Sequence, residues 1–375
     1  MKNFLRNLYK EFLVSDKSDF LLNATKFSTS LSGLHLSPKI IEDFFNNYKK
    51  IPFFIFLKRV KSLIYSKDVF GFISKTSSED WELWPYLKFL KDKKIIDVKR
   101  NGQILLLKKE LLNTIPRPQS EKEIEQKIEK KLKIKVSGKE PVINLFKKFQ
   151  DFEVKAKWDQ MPISQESAIF VAKKILENLP QNERFLFVGD DDFISVILGL
   201  ADPNIESLVI DADDNLLDCI NFLAKKFNLK IKTKKVDLRK QKYLGEKFVG
   251  FLVNPVYTEA GVKDFVKFGK NQLGEDGGVA FLEVGDESIG NRFLFLQEFF
   301  SKNNLIIKEL ILEKVYYPYI ALYEEDKELM RRFSQMIDAR IIKKSPRLAA
   351  SLYVFDYLPS RPKKIKFKKP IYAYL

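Results

Sequence analysis

The chain has 375 residues, 45% hydrophobic and 31% charged, with 66 basic and 50 acidic side chains and a formal net charge of +16. This composition excludes wholesale disorder and is sufficient for two folded domains. One cysteine, Cys219, excludes an internal disulfide framework and a multi-cysteine zinc site, and a single histidine, His35, argues against histidine-based catalysis or metal binding. No apolar run reaches the ~18 residues of a membrane span. The start, MKNFLRNLYKEFLV, is amphipathic and charged, unlike a secretory signal. A cytoplasmic protein is expected, with no membrane partner. Its charge points first to nucleic acid or another polyanion.

Residues 1–115 read as mostly helical with one hairpin. VFGFIS from Val69 is helix-like, and Trp81, Leu83, Trp84, Leu87 and Leu90 give a second helix an apolar face. KKIIDVKRNGQILLL then forms two short apolar runs around Arg100-Asn101-Gly102, a strong hairpin signal. Helix, helix and hairpin predict a small winged-helix-like α+β domain. Residues 116–150 open on Ile115-Pro116-Arg117-Pro118 and continue into EKEIEQKIEKKLKIKV, which predicts a charged linker or solvated helix.

Residues 151–330 change rhythm. A helix is expected over Ser164–Leu179, capped by Ser164. Strands follow at Arg184–Val188, Ser207–Ile210, Leu229–Val236, Phe248–Val253, Gly278–Val284 and Ile306–Val315, with helices between them. Such alternation predicts an α/β fold, a doubly wound Rossmann-like sheet whose ligands bind at the carboxyl ends of its strands. Cys219 falls on the apolar face of one helix beside Leu216 and Ile220 and reads as core. Residues 331–375 are a C-terminal extension ending in a basic tail, RPKKIKFKKPIYAYL.

The strand ends carry the chemistry. Gly189 is followed by Asp190, Asp191 and Asp192; three adjacent carboxylates repel, and a helix cap accounts for one or two of them. Asp211-Ala212-Asp213 ends the second strand, where an acid binds ribose hydroxyls in adenosine-binding folds. Alternation would put Asp211 and Asp213 on one side. Asp237-Leu238-Arg239 ends the third strand, within reach of an adenine edge. The fourth ends in Asn254-Pro255-Val256-Tyr257-Thr258-Glu259, similar to the (N/D)PP(Y/F) turn of amino-group methyltransferases. The fifth ends with Glu283, before Val284-Gly285-Asp286. A basic protein thus gathers acids at one sheet edge, as a pocket for a polycation would. Three aspartates after the glycine turn would repel the carboxylate of S-adenosylmethionine and would welcome its decarboxylated form.

These stretches, with Trp158-Asp159-Gln160-Met161-Pro162-Ile163-Ser164-Gln165-Glu166 ahead of them, resemble the branched-chain polyamine synthases, the N4-bis(aminopropyl)spermidine synthase family, of which this chain reads as a divergent member. Order and spacing agree over roughly residues 60–315. The resemblance implies a winged-helix-like domain before a methyltransferase-type Rossmann domain, a homodimer, and a transferase. The reaction implied moves aminopropyl groups from decarboxylated S-adenosylmethionine, a co-substrate and not a tightly bound cofactor, to the secondary amine of spermidine. The products are branched-chain polyamines and methylthioadenosine. No metal is implied. It makes Asp191 the catalytic carboxylate, with Asp190 and Asp192 orienting the amines. Gly189, Asp211, Asp213, Asp237 and Asn254 would bind the co-substrate. Asp159, Gln160, Glu166, Tyr257, Glu259 and Glu283 would bind the polyamine. The chain departs from the family at Asn254 and Tyr257, where a DPPET-like segment places acids. A Lys/Glu/Ile-rich composition points to a thermophile. Two other readings stay open: an S-adenosylmethionine-dependent methyltransferase acting on nucleic acid or protein, and a non-enzymatic nucleic-acid binder using the basic tail. Nucleic-acid contact is compatible with the first reading but not required by it.

Overall fold

The computed structural model describes residues 2–15, 51–76, 80–113, 115, 117–179, 183–318, 328, 331–332, 334–336 and 346–361. His35, the side chains of Trp81 and Trp84, and the basic run after Arg361 lie outside them. The described chain divides into two compact units, with boundaries at Arg117/Pro118 and Leu358/Pro359.

In the first unit, helices α1 (Lys2–Val14), α2 (Phe53–Ile64), α3 (Val69–Thr76) and α4 (Asp80–Asp92) precede the antiparallel hairpin β1 (Ile96–Val98) and β2 (Ile104–Leu106). Leu5, Leu8 and Phe12 recur at helical spacing and bury one face of α1 against Phe56, Val60, Tyr86 and Leu90. Phe12 stacks on Tyr86 with centroids 4.7 Å apart. Gly102 sits at φ +82°, the left-handed geometry that an Asn-Gly turn supplies.

The second unit begins with α5 (Glu121–Leu132). Its N-terminus is a capping box: Ser120 Oγ accepts from the Glu123 N–H, and Glu123 Oε2 accepts from the Ser120 N–H. The segment anticipated as a linker is therefore part of this unit. Ile124, Ile128 and Leu132, four residues apart, form a fully buried stripe beneath the charged face. Next come α6 (Gln165–Asn178), capped by Ser164 as anticipated, β3 (Arg184–Val188), α7 (Ile194–Ala201), β4 (Glu206–Asp211) and α8 (Asp214–Phe227). They are followed by β5 (Ile231–Lys235), β6 (Gly250–Val253), α9 (Glu259–Asn271), β7 (Gly278–Val284), α10 (Phe293–Lys302), β8 (Leu305–Pro318) and β9 (Pro346–Tyr357).

These strands form one seven-stranded sheet in the order β5-β4-β3-β6-β7-β9-β8. The first five are parallel, and β9 pairs antiparallel with both β7 and β8. The fold is thus α/β, a Rossmann-like doubly wound sheet. The chain runs outward from β3 in one direction through β4 and β5, and from β6 in the other through β7. The crevice between the ends of β3 and β6 is the topological switch point where such sheets bind ligands. β9 corrects the expected boundary at residue 330: part of the anticipated C-terminal extension is an inserted sheet strand.

Leu186, Val188, Phe251, Val253, Ala280 and Leu282 pack with Val262 and Val266 of α9 and with Leu296 and Phe300 of α10. Their alternates Phe185, Phe187 and Phe281 point to the opposite face. Cys219 is buried, as expected. Gly250 lies where a Cβ would meet Val279 Cγ1 at 2.7 Å, the Val279 carbonyl oxygen at 2.8 Å and Phe185 at 2.9 Å. Gly250→Ala is therefore expected to cost about 2 kcal/mol through overpacking, seen as a lower denaturant midpoint at unchanged m-value.

Candidate active site

A cavity of about 660 Å³ opens at the carboxyl ends of β3, β4, β5 and β6. Its floor is the turn after β3. Gly189, at φ +79°, takes a left-handed conformation; a Cβ there would approach Asp211 Oδ2 and the Asn254 carbonyl oxygen at 3.9 Å. The three aspartates that follow point in three directions, which relieves the repulsion their sequence creates. The Asp190 carboxylate accepts from the backbone N–H groups of Ile194 (2.8 Å) and Ser195 (3.2 Å). Asp191 Oδ2 accepts from the Met161 N–H at 2.8 Å, and Asp191 lines the cavity. Asp192 accepts from the Ile163 N–H on Oδ1 and from Asn254 Nδ2 on Oδ2, both at 2.7 Å.

Asp190 is therefore committed to the first turn of α7, three residues ahead of its N-cap Phe193, and lies outside the cavity lining. Its carboxylate satisfies N–H groups that the first turn of any helix leaves without partners. Asp192 is equally buried and holds the β6 turn in place from behind. Only Asp191 of the three faces the ligand space. Burial raises its pKa well above the carboxylate range, and Asp192 and Asp211 add to the shift.

Asp211 lines the cavity wall beyond β4, and its Oδ1 accepts from the Asp213 N–H at 2.8 Å. Burial lifts its pKa to about 6. Asp213 does not share that side. The strand ends at Asp211, so alternation stops there, and Asp213 becomes the cap of α8. It also accepts from Lys155 Nζ at 2.9 Å and Gln160 Nε2 at 3.1 Å. These bonds anchor the segment 155–161, which carries Lys157, Trp158, Asp159, Gln160 and Met161 into the cavity wall. Asp159 takes φ +56° there, and burial raises its pKa, opposed by Arg347. Beyond β5, Asp237 and Arg239 line the cavity together. The guanidinium donates two 2.9 Å bonds that pull the Asp237 pKa down to about 2.

The turn after β6 brings Asn254, Pro255, Val256 and Tyr257 to the cavity. Tyr257 donates to Tyr317 Oη at 2.8 Å, and Tyr317 donates to Asn254 Oδ1 at 3.2 Å. Tyr317 belongs to β8, past the point where the sequence pattern ended that strand. Its only sequence signal was the apolar Val-Tyr-Tyr run.

Three anticipated polyamine ligands are elsewhere. Glu259 opens α9 and pairs with Lys263 one turn on, outside the cavity lining. Glu166 is exposed in the first turn of α6, also outside it. Glu283 is fully buried in β7 behind the wall, and neither of its oxygens finds a hydrogen-bond donor. Burial raises its pKa to about 8; contact with the Asp192 carboxyl opposes the shift, and the charges of Asp191 and Asp190 reinforce it. The cavity lining thus holds Asp159, Asp191, Asp211 and Asp237 against the cations Lys157 and Arg239. The local sign is acidic on a protein that is basic overall. Among the described residues, no helix is long and apolar enough to cross a membrane.

Comparison with known proteins bears on this geometry. Two curated relatives come from Methanocaldococcus jannaschii, each 35% identical: an uncharacterized protein over 139 residues, 36% of this chain, and an N(4)-bis(aminopropyl)spermidine synthase over 96 residues, 24% of this chain. The matched stretches span only 35% and 27% of those relatives. Among solved structures, the Thermus thermophilus branched-chain polyamine synthase, in complex with N4-aminopropylspermidine and 5'-methylthioadenosine, is 17% identical. The match covers 92% of this chain and 94% of that one, with a TM-score of 0.48. The family model described as the branched-chain polyamine synthase A C-terminal domain matches residues 145–363, more than half of the chain and the whole of the sheet and its cavity. With that match, the chain belongs to the branched-chain polyamine synthase family.

Proposed function

We propose that this protein is an aminopropyltransferase. It moves an aminopropyl group from decarboxylated S-adenosylmethionine to the secondary amine of spermidine or a longer polyamine and releases methylthioadenosine. The observation that carries this reading is the placement of Asp159, Asp191, Asp211 and Asp237 around one cavity at the switch point of the sheet. Asp191 lies two residues past Gly189 and lines the cavity, where the methionine carboxylate of S-adenosylmethionine would meet a like charge. The decarboxylated donor presents an ammonium there instead.

In this reading Asp211 holds the ribose hydroxyls and Asp237 the adenine edge, with Gly189 letting the backbone approach. Asp159, beside the anchoring Gln160, takes a distal ammonium. Asp191 accepts the proton of the reacting nitrogen and stabilises the ammonium that forms. The amine nitrogen attacks the methylene next to the sulfonium, the C–S bond breaks, and the thioether leaves uncharged. The chain's own task is positioning and charge. We further propose a cytosolic, dimeric enzyme, as the family resemblance implies, with a winged-helix-like N-terminal unit, a reading supported by the helices and the β1–β2 hairpin of that unit.

The assay is direct. Purified protein is incubated with decarboxylated S-adenosylmethionine and spermidine, and methylthioadenosine and a branched product are sought by mass spectrometry. A methyltransferase is the second reading, favoured by the Asn254-Pro255-Val256-Tyr257 turn. Against it, the Asn254 amide is committed to Asp192 and Tyr317. Tighter binding of S-adenosylmethionine than of its decarboxylated form, with no methylthioadenosine released, would establish the second reading.

A further inference from the structure

Half of the net charge of +16 sits at one edge of the sheet. Between Lys225 and Lys247 stand ten basic side chains, all of them exposed, and only two acids. Asp237 is taken by Arg239 and Glu246 by Arg184 of β3. The ion pairs along this edge use Lys235, Arg239 and Lys240. Among the described residues, Lys230, Lys232, Lys234 and Lys242 enter none. β5 is the outermost strand and pairs with β4 alone. Its register sets Lys232 beside Leu208 and Lys234 beside Ile210. Register neighbours share a face, and on that face Leu244 packs into the same apolar cluster as Leu208 and Ile210. The loop after β5 is thereby laid next to the two lysines. Gln272, 1% exposed, clamps it: its Oε1 accepts from the Leu244 N–H at 2.9 Å, and its Nε2 donates to the Lys242 carbonyl at 3.0 Å. Tyr243, between the clamped residues, is 65% exposed.

We infer that this edge is a binding surface for single-stranded nucleic acid, with Lys232, Lys234 and Lys242 on the phosphates and Tyr243 beneath a base. Two features carry the assignment. The first is charge of one sign: a surface stabilised by ion-pair networks mixes both signs, whereas this one gathers unpaired lysines. The second is an exposed aromatic ring set among them on a loop that a buried glutamine holds in place. A basic track with an aromatic platform is how proteins hold unpaired strands, because every base has a face to stack. Lysines on an edge strand also discourage pairing between sheets. That need does not extend to Lys242 and Tyr243, which lie past the strand. The surface is distinct from the acidic cavity, whose lining contains none of these four residues. A protein of this kind therefore presents one sign to its small ligand and the opposite sign to a polyanion.

The test is fluorescence anisotropy of the full chain with a labelled oligouridylate, titrated between about 50 and about 200 mM salt. Each phosphate contact to a single strand adds about 0.7 to the slope of log affinity against log salt. The combined Lys232→Gln, Lys234→Gln and Lys242→Gln variant should therefore make the wild-type slope shallower by about 2. The same charge change on α5, Lys122→Gln, Lys130→Gln and Lys131→Gln, should leave the slope as it is. Tyr243→Ala should weaken binding about tenfold at fixed salt with the slope unchanged, and that loss should vanish when the strand is annealed to oligoadenylate. The assay contains no amine and no sulfonium donor, so its result is independent of the aminopropyl-transfer reading. Four results each overturn the proposal: no salt-sensitive binding by the wild type, equal losses in the edge and α5 variants, wild-type binding by Tyr243→Ala, or capture by phosphatidylserine vesicles in place of the oligonucleotide.

Discussion

Asp191→Asn is expected to lower kcat for methylthioadenosine release by about 10³-fold, within the range that a positioned proton acceptor and charge contribute. Asp191 is the single member of its acidic run that faces the cavity, held by the Met161 N–H at 2.8 Å. Asparagine keeps that bond and the side-chain volume and removes the charge. Melting should therefore change little. The pH profile adds a second readout. Burial raises the Asp191 pKa, so the ionised form needed to bind ammonium and take up a proton is depleted on the acid side. Accordingly, kcat/KM for the amine should rise with pH through an apparent pKa above the ordinary carboxylate range. The asparagine variant should lose that limb. Activity within tenfold of wild type in a well-folded variant would remove Asp191 from the proposed chemistry.

Glu283→Gln should raise thermal stability at alkaline pH and leave it nearly unchanged near pH 4. In the folded protein the Glu283 carboxyl holds its proton up to about pH 8, because burial penalises the anion. In the unfolded chain it ionises near pH ~4.3. Between those values the folded state binds more protons than the unfolded one. Stability contributed by the neutral acid is thus complete below the lower value and is lost as pH rises through the higher. The window spans nearly four pH units, so the loss is on the order of 4–5 kcal/mol at pH 8.5. Glutamine is neutral throughout, so the difference in melting temperature between variant and wild type should widen from pH 5 to pH 8.5. Parallel melting curves across that range would show that Glu283 does not carry the proton.

Both effects come from acids that look alike in the sequence. Local pattern was enough to place the elements from the Ser164 helix to the Gly278–Val284 strand, because an apolar period of two or 3.6 depends only on neighbours. The strands Arg184–Val188 and Gly278–Val284, the cap at Ser164 and the alternation that makes the sheet α/β were all legible, and so was the gathering of acids at the strand ends. Which of those acids meets a ligand was not legible. Asp190 and Asp213 serve nearby helix N-termini, a role any capping aspartate can take. Asp191 and Asp192 are aimed by backbone N–H groups 30 and 29 residues away, and Asp213 is tied to Lys155 at a distance of 58. The stripe of Ile124, Ile128 and Leu132 was hidden by the charges around it, and it becomes core only because α6 and α7 lie beneath it.

The sequence by itself determined the fold class, the family likeness and the acidic character of the strand ends, since these follow from composition and short-range periodicity. Tertiary structure alone decided that β9 enters the sheet between β7 and β8, that Tyr317 thereby stands beside Asn254, and that four of the acids line one cavity while the others cap helices, lie buried or pair elsewhere. The direction of a turn carboxylate depends on the nearest donor in space, and that donor is supplied by segments far away along the chain.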